Sequence, residues 1–385
     1  MDTKQLYAKR LEVFQKTLNR QEGDWVPAAM GNSGGGFFYG DKNAFDVEGD
    51  FLAHAKALNC FLDDMWVDAC ILSGLTTSPK ITRDFPTAEN KLAADGSIVH
   101  LQLSPMKADE YDQLIADPRA FIANVLLPRK FPDLFTDRET TKTHLKNFAE
   151  AMVEAMVLQM GTTTQYIAEQ YGVPTVVNAG SMINTPLDHL FDFFRGFRGT
   201  LTDLRRQPAK VQAALDAIWD YQCAPIVAQP YDPAKGMVFQ PCHIPAYLSP
   251  KQFKEFYWPY EKRYAEWIAA SGGKIYLMLE GKWGPMLDLF LDAPKDAYVL
   301  AVDDDDVFDV YERLGHHQII AGGMRMADAR LKKFDDIKDH LKKVVDTCAP
   351  GGGFMFLPDK AFVTPGDVNP TLVECYNFVH EYSKK

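Results

Sequence analysis

The 385-residue chain lacks the features that mark membrane, secreted and nucleic-acid-binding proteins. It contains no run of about 18 apolar residues, so the sequence predicts no transmembrane segment. Its six cysteines are scattered without a CxxC pair, and a chain of this length needs no disulfide framework. We therefore expect reduced thiols and a cytoplasmic protein. Lysine and arginine do not cluster, and the net charge of −11 argues against a nucleic-acid partner.

Short apolar segments recur along the chain, and each ends in a small or polar residue before a turn. The eight segments that we interpret as strands are 25–32, 65–72, 173–180, 236–243, 274–281, 297–304, 317–324 and 352–359. Segments with apolar residues three and four positions apart are typical of helices. They follow the later strands at 249–272, 283–291, 306–315 and 327–352.

Strands that alternate with helices indicate a parallel sheet, and eight such units predict an α/β fold of the (β/α)8 TIM-barrel type. We expect one domain over residues 1–385, with an N-terminal helix over 1–22 and an insertion after the second strand over 80–160. A doubly wound open sheet is the alternative. That fold would require a phosphate loop after the first strand, and the glycine-rich segment 31–38 lacks the GxGxxG spacing.

Polar residues lie at or near the ends of the predicted strands, where a barrel of this type places its active site. They are Asn32, Asp68, Asn178, His243, Glu280, Asp303 and Lys360. Structural roles also fit them: Glu280 as a solvated turn carboxylate, or His243 as a hydrogen-bonded loop histidine. We expect Asp305 or Asp306 to cap the helix that follows. Glu280 ends an otherwise apolar strand, which favours a functional role.

Several segments of the C-terminal half resemble the uroporphyrinogen decarboxylase superfamily. They are RGFRGTLTDLRRQP (195–208), LSPKQFKEFYWPYEKRYAEWI (248–268), LEGKW (279–283), LGHHQIIAGGM (314–324) and GGGFMFLPDKAFVTPGDVNPTLVECYNFVHEY (351–382). The resemblance covers residues 185–383 well and the N-terminal half loosely. It implies a TIM barrel that is either a decarboxylase of porphyrin biosynthesis or a corrinoid-dependent methyltransferase.

Two branches of this superfamily fit the sequence poorly. The decarboxylases carry an arginine-rich loop after the first strand, whereas residues 30–40 (MGNSGGGFFYG) contain no arginine. A polyanionic substrate would therefore lack its partners in a chain of net charge −11. The thiol-methylating branch binds zinc through His-x-Cys and a later cysteine. Tyr276, Met278 and Lys360 occupy the matching places, and none is a good zinc ligand.

A third branch, the O-demethylase methyltransferases of anaerobic bacteria and archaea, fits better. Its pattern is a histidine after the fourth strand, Glu-Gly ending the fifth and D-x-x-D ending the sixth. The matching residues are His243, Glu280 with Gly281, and Asp303 with Asp306. The resemblance implies methyl transfer from a small methoxylated aromatic substrate to the cobalamin, as cob(I)alamin, of a partner corrinoid protein. Zinc is not expected, although a site built from His243, Glu280 and an aspartate stays open.

Glu280 is the predicted general acid of this reaction. Phenolate is a poor leaving group, since phenol has a pKa of about 10, so the departing oxygen needs a proton. A carboxyl group supplies one at neutral pH when burial raises its pKa. We expect Asp303 and His243 to orient Glu280 or share its proton. The predicted substrate contacts are Asn32, Phe37, Asp68, Asn178, Tyr247, Trp283 and Lys360. Lys360 or Arg195 would pair with a ring carboxylate.

Other functions stay open at this point. They are a decarboxylase or lyase that acts on another small acid with Asp68 as its acid–base residue, a methyltransferase between methylcobalamin and a thiol or folate, and a non-catalytic binding barrel. The sequence does not specify the methoxyarene, the identity of the corrinoid partner, a bound metal or whether the chain forms a homodimer.

Overall fold

The computed structural model describes residues 1–73, 90–94, 98–101 and 103–385. Its strands are β1 (Ala29–Asn32), β2 (Ala69–Ser73), β3 (Asn90–Leu92), β4 (Ile98–His100), β5 (Val177–Met182), β6 (Met237–Gln240), β7 (Ile275–Leu279), β8 (Tyr298–Val302), β9 (Ile319–Met324) and β10 (Phe354–Pro358). Each of the eight segments predicted as strands overlaps one of them, and β2 and β5 extend beyond their predicted ends. The antiparallel pair β3–β4 is additional.

Two parallel sheets carry the fold in the described residues. Strands β5 to β10 form one sheet in which each strand pairs with the next along the chain, and β1 pairs with β2 in a second. Single parallel bridges join Ala28 to Phe356 and Cys70 to Thr175, so the β1–β2 pair contacts both edges of the larger sheet. The result is an α/β fold with a half-barrel sheet. The doubly wound alternative does not fit, because that fold reverses its strand order.

The helices lie between and around the strands. The α-helices of the described residues are Thr3–Leu18, Gly35–Tyr39, Phe51–Leu58, Tyr111–Ala116, Pro118–Phe121, Leu127–Lys130, Arg138–Val153, Met160–Tyr171, Pro186–His189, Gly196–Arg206, Pro208–Ile218, Ala224–Val227, Pro250–Gln252, Trp258–Ala270, Val307–Leu314, Met326–Leu331, Phe334–Cys348 and Pro370–Tyr382. Segments of π-helix are Ile122–Leu126, Glu154–Gln159, Leu190–Arg195, Trp219–Cys223 and Phe253–Tyr257. Segments of 3-10 helix are Ala44–Val47, Cys60–Asp63, Pro233–Lys235, Pro245–Tyr247 and Gly284–Asp292.

The predicted helices are present with adjusted ends. The N-terminal helix begins at Thr3 with a capping box between Asp2 and Gln5. The helix predicted over 327–352 is two helices, Met326–Leu331 and Phe334–Cys348. Of the insertion predicted over 80–160, residues 80–89, 95–97 and 102 lie outside the described residues, and the rest is the β3–β4 hairpin and helices. No helix of the described chain is long and apolar enough to cross a membrane.

Strands of the larger sheet are buried on both faces, as expected for parallel strands covered by helices. In β8 all five residues are buried, and alternate residues belong to different apolar clusters. Val299 and Ala301 join a smaller cluster built mainly from strand residues, whereas Tyr298 and Leu300 join the larger cluster that includes the helices. Phe14 of the N-terminal helix also packs in the smaller cluster. The two faces of the larger sheet therefore pack into two separate apolar clusters.

Candidate active site

Glu280 and His243 lie together at the carboxyl ends of neighbouring strands. Glu280 follows directly after β7, and His243 follows β6 by three residues. The Oε2 atom of Glu280 lies 3.6 Å from Nε2 of His243. Parallel strands that pair in register end at the same edge, which explains why residues 37 positions apart in the sequence meet. Their catalytic roles stay predictions.

Asp303 supports the turn that carries Glu280. It follows β8, and its Oδ2 accepts a hydrogen bond from the backbone N–H of Gly281 at 2.9 Å. Gly281 has a φ of +74°, a conformation that favours glycine. The other oxygen, Oδ1, is buried without a hydrogen-bond partner in the described chain, and Lys360 Nζ lies 3.9 Å from it. The structure thus brings Asp303 beside the predicted acid through the backbone.

His243 is held by a residue that sequence reasoning missed, Asp192. Both carboxylate oxygens of Asp192 lie 2.9 Å from Nδ1 of His243. This contact leaves Nε2 directed at Glu280. Asp192 belongs to the π-helical segment Leu190–Arg195 and precedes His243 by 51 residues. The three side chains therefore form a line in which a histidine separates two carboxylates.

A second carboxylate, Asp188, fixes the backbone of the same histidine. It is fully buried and accepts hydrogen bonds from the N–H groups of His243 and Ile244 at 3.3 and 3.4 Å. It also accepts a hydrogen bond from the Tyr257 hydroxyl at 2.8 Å. Asp188 and Asp192 are four residues apart, so both face the His243 loop from one helical surface. The i, i+4 spacing of these two aspartates in LDHLFD was the sequence feature from which a paired carboxylate surface could have been predicted.

The electrostatics of this group suit proton transfer. The pKa of Glu280 is raised to about 7, mainly by burial and to a smaller extent by the nearby carboxylates of Asp188 and Asp303, against the opposing effect of His243. The hydrogen bond to Asp192 raises the pKa of His243 to about 9, with a smaller contribution from the Glu280 charge. Near pH 7, His243 is therefore cationic while Glu280 exchanges its proton readily.

Asp305 completes the turn after Glu280. Its carboxylate accepts hydrogen bonds from the backbone N–H groups of Trp283 at 2.7 Å and Gly284 at 3.2 Å. The next residue, Asp306, accepts from the N–H groups of Phe308 and Asp309, and so caps the helix Val307–Leu314 as predicted. The acidic run after β8 therefore organises two backbone segments.

Trp283, a predicted substrate contact, presents no surface to a ligand in this structure. The Trp283 side chain is fully buried and packs edge-on against Phe253 and Tyr257. Its indole N–H donates to the backbone oxygen of Glu280 at 3.2 Å. Trp283 therefore supports the Glu280 turn from behind.

Asp68 lies at the wrong end of its strand for the predicted role. The predicted strand began at residue 65, whereas β2 begins at Ala69, so Asp68 precedes the strand. Its buried carboxylate accepts hydrogen bonds from the indoles of Trp25 and Trp66 at 3.0 and 2.9 Å and from the Ala28 N–H at 2.9 Å. Arg10 Nε lies 3.6 Å away. Asp68 therefore ties the N-terminal helix to the amino end of the sheet.

Asn32 and Phe37 are buried and present no surface for the predicted substrate contacts. The Asn32 amide donates to the Leu58 carbonyl at 2.8 Å, and its oxygen faces the N–H groups of Gly34 and Gly36. Phe37 is 2% exposed, in a small apolar cluster with Leu58. A Cβ at Gly36 would lie 1.9 Å from the Leu58 carbonyl oxygen. The glycine-rich segment therefore serves close packing of helix Gly35–Tyr39.

The other predicted contacts have mixed surroundings. Asn178 stabilises an irregularity in β5, donating to Ser181 Oγ at 2.7 Å and accepting from the Gly180 N–H at 3.0 Å. Lys360 is 61% exposed and extends from the loop after β10 towards Asp303. Tyr247 is 56% exposed at the end of a 3-10 turn that follows His243. Lys360 and Tyr247 are thus free to meet a ligand.

The zinc pattern of the thiol-methylating branch is not present. Tyr276 and Met278 lie on β7 and pack in or against the smaller apolar cluster, and Lys360 is a cation. The described residues contain no group of three His, Cys, Asp or Glu side chains that could hold a metal ion. The open alternative of His243, Glu280 and an aspartate does not form such a group either.

Comparisons with known proteins place the chain in a family. Its fold is similar to that of a methyltransferase from Methanosarcina mazei, with a TM-score of 0.57, 15% sequence identity, and coverage of 94% of this chain and 97% of that chain. At this identity the likeness concerns the fold alone. No curated protein matches the sequence. The uroporphyrinogen decarboxylase (URO-D) family model matches residues 135–363, more than half of the chain and all of β5 to β10. The chain therefore belongs to the uroporphyrinogen decarboxylase family.

Proposed function

We propose that this protein is a corrinoid-dependent methyltransferase that demethylates a methoxylated aromatic compound. The observation that carries the proposal is the line Asp192–His243–Glu280 at the strand ends, with a carboxyl whose pKa is raised to about 7. Such a group protonates a departing oxygen at neutral pH. The fold of a methyltransferase from Methanosarcina mazei is consistent with it.

The site sits, in this proposal, at the mouth of a closed eight-stranded barrel. The parallel bridges Ala28–Phe356 and Cys70–Thr175 support closure, since they connect the β1–β2 pair to β10 and to the residues before β5. The smaller apolar cluster, built from all eight of these strands, would fill the barrel interior. Barrels of this type carry their catalytic residues at the carboxyl ends of the strands, which is where Glu280 and His243 lie.

Glu280 acts on the leaving group. The partner's corrinoid supplies the nucleophile, which takes the methyl group as the methyl carbon–oxygen bond breaks. The electron pair of that bond stays on oxygen, and the Glu280 proton moves to it, so the product leaves as a neutral phenol. His243, fixed by Asp192, then stabilises the Glu280 carboxylate that remains. A cationic histidine 3.6 Å away suits this task, because it favours the charged product over the neutral acid.

The alternatives lose support in three places. A decarboxylase or lyase using Asp68 as its acid–base residue would need that carboxylate at the site, yet it is buried at the amino end of β2. A decarboxylase of the porphyrin type would need cations near β1, and residues 30–40 contain no arginine. Methyl transfer from methylcobalamin to a thiol by the zinc-dependent route lacks its ligand set in the described residues.

The test is formation of methylcobalamin. The purified protein, a reduced corrinoid protein and a panel of methoxyarenes are mixed without oxygen, and the absorbance change from cob(I)alamin to methylcobalamin is followed. The phenol product should appear in equal amount, and omission of the ether or of this protein should abolish both signals. Failure of every ether with several corrinoid proteins, or release of carbon dioxide from an acid substrate instead, would contradict the proposal.

A further inference from the structure

A cluster of three exposed or half-exposed aromatic rings lies next to the His243 loop. Tyr247 stacks on Phe191 with ring centres 6.4 Å apart and meets Phe197 edge-on at 4.8 Å. Phe191 and Phe197 also contact each other at 5.6 Å. We call these three residues the aromatic platform. Tyr247 was predicted as a substrate contact, whereas Phe191 and Phe197 were missed.

The aromatic platform lies beside the line Asp192–His243–Glu280, because its residues are close to members of that line in the sequence. Phe191 precedes Asp192 in the sequence, and Tyr247 ends the 3-10 turn Pro245–Tyr247 that follows His243. A Cβ at Gly281 would lie 2.7 Å from the Cβ of Ala246, so this turn packs directly on the Glu280–Gly281 corner. An aromatic ring on the platform would therefore have its substituents near Glu280.

The same rim is rich in carboxylates whose charge is not cancelled. Asp303, Asp305 and Asp359 each accept a hydrogen bond from a backbone N–H group, which leaves their negative charge in place. These residues line a cavity of about 430 Å³ beside the site, together with Asp304, Asp306 and Asp328. The basic residues of this cavity and its rim are Lys282, Arg325, His340 and Lys360.

The two cations predicted to pair with a ring carboxylate are poorly placed for it. Arg195 donates to Asp203 at 2.7 Å and to Ser104 Oγ at 2.8 Å, and its side chain is only 16% exposed. Lys360 lies near Asp303, so a substrate carboxylate would compete with a resident one. The cation nearest Glu280, His243, is already paired with Asp192 at 2.9 Å. In the described part of the site, an anionic ring therefore meets more repulsion than attraction.

We propose that the site binds an uncharged methoxyarene, with its ring on Phe191, Phe197 and Tyr247, and discriminates against methoxyarenes that carry a carboxylate. The proposal rests on the proposed function and narrows its substrate class. Rings are attracted to the platform by stacking, which does not depend on charge. Selection against the carboxylate comes from the acidic rim, which acts on any anion that approaches Glu280.

Binding to the protein alone, measured by titration calorimetry near pH 7, tests both parts. A methoxyphenol, which is uncharged because its pKa is about 10, should bind at least roughly tenfold more tightly than a methoxybenzoate. Raising the salt from about 0.05 M to about 0.5 M should improve methoxybenzoate binding and leave methoxyphenol binding unchanged. Asp304→Asn should also improve methoxybenzoate binding, since it removes one exposed charge from the cavity.

Variants of Tyr247 test the platform. Tyr247→Ala should weaken methoxyphenol binding roughly tenfold, whereas Tyr247→Phe should keep it, because stacking needs the ring and not the hydroxyl. Tyr221→Ala, which removes an exposed tyrosine outside the platform, is the matched control and should change nothing.

Three results would overturn the inference: methoxybenzoate binding as tight as methoxyphenol binding, unchanged methoxyphenol binding in Tyr247→Ala, or no binding by any uncharged methoxyarene. The proposed function fails separately. If methoxyphenol binds as described but no ether yields methylcobalamin, the ligand class stands and the methyl-transfer reaction is wrong. If methoxybenzoate both binds tightly and is demethylated, the reaction stands and the charge selection is wrong.

Discussion

Two clusters at opposite ends of the strands contain similar side chains and differ in how completely their central carboxylates, Asp68 and Glu280, are hydrogen-bonded. At the amino ends, Asp68 is fully buried and accepts hydrogen bonds from two indoles and a backbone N–H, with Arg10 beside it. At the carboxyl ends, Glu280 is 32% exposed, and its nearest charged neighbour, His243, lies at 3.6 Å. Residue type alone does not separate the two clusters.

The difference teaches how to tell a structural carboxylate from a reactive one. Asp68 accepts a hydrogen bond from the Trp66 indole, and the Trp66 ring is covered by His380, which stacks on it at 3.7 Å. The Asp68 carboxylate therefore has no free surface that another molecule could contact. Glu280 keeps its oxygens available, while the groups around it are fixed by Asp192 and Asp303. A rigid surrounding with one unsatisfied acid is the arrangement that acid catalysis requires.

The largest expected effect is on the Glu280 cluster at the carboxyl ends of the strands. Glu280→Gln should lower methyl transfer to the corrinoid by ~10²–10⁴-fold, because the amide cannot transfer a proton. Substrate affinity and thermal stability should change little, since the amide has nearly the same shape. Single-turnover formation of methylcobalamin and calorimetric binding measure the two quantities. A variant that no longer binds substrate would make Glu280 a binding residue.

A substitution in the Asp68 cluster at the amino ends of the strands should lower stability and leave the chemistry of methyl transfer unchanged. Asp68→Ala leaves Arg10 buried without its carboxylate and should lower the free energy of unfolding by about 3 to 5 kcal/mol. Urea denaturation measures this loss, and the folded fraction should keep the wild-type pH profile of methyl transfer. Asp24→Ala removes an exposed partner of Lys9 and is the matched control, with an expected cost far below that of Asp68→Ala. Equal losses of stability in the two variants would show that the Asp68 cluster stabilises the fold no more than an exposed ion pair does.

The pH dependence of methyl transfer is the third expected difference between the Glu280 cluster and the Asp68 cluster. Glu280 acts as an acid only while protonated, and its pKa is about 7, so methyl transfer should fall about tenfold per pH unit above that value. His243, with a pKa raised to about 9, remains cationic through this range. Stability from the His243 ion pairs is fully present below its unfolded pKa of about 6.5 and is lost as the pH rises through about 9. Asp68 variants should leave the activity limb near pH 7 unchanged.

Asp192→Asn should produce the smallest effect. The hydrogen bond to Asp192 is the main cause of the raised His243 pKa, so the variant should lower that pKa by more than about one unit. Titration of the His243 ring by NMR measures the shift, and methyl transfer should fall by roughly tenfold because the ring loses its fixed orientation. Asp216→Asn is the control: it changes another carboxylate, on the helix Pro208–Ile218, and should leave the His243 titration unchanged.

The sequence predicts the strands well because their burial is encoded locally. Each predicted strand segment overlaps a strand, and the polar ends of β7 and β8 mark Glu280 and Asp303 correctly as neighbours. Asp68 was misplaced because an apolar run does not define where a strand begins, and β2 starts after that residue. A strand end therefore identifies a candidate only when the direction and bounds of the strand are known.

Contacts between distant segments account for what the sequence did not reveal. Asp192 meets His243 across 51 residues, and its own helical segment carries no chemical motif. Trp283 follows the Glu280 turn, so its position in the sequence predicts a ligand contact. In the structure, however, its ring is fully buried and packs against Phe253 and Tyr257. These outcomes depend on tertiary packing, which periodicity and spacing do not specify.

The most direct test of the central claim, that Glu280 protonates the departing oxygen, is the leaving-group dependence of the Glu280→Gln defect. Methyl transfer by the wild type and by the variant is measured over uncharged methoxyarenes whose phenols differ in acidity. A more acidic phenol leaves without help, so the defect should shrink steadily as electron-withdrawing substituents are added and should be largest for the most electron-rich ether. A defect of constant size across the series would contradict the account and make Asp303 the first alternative acid.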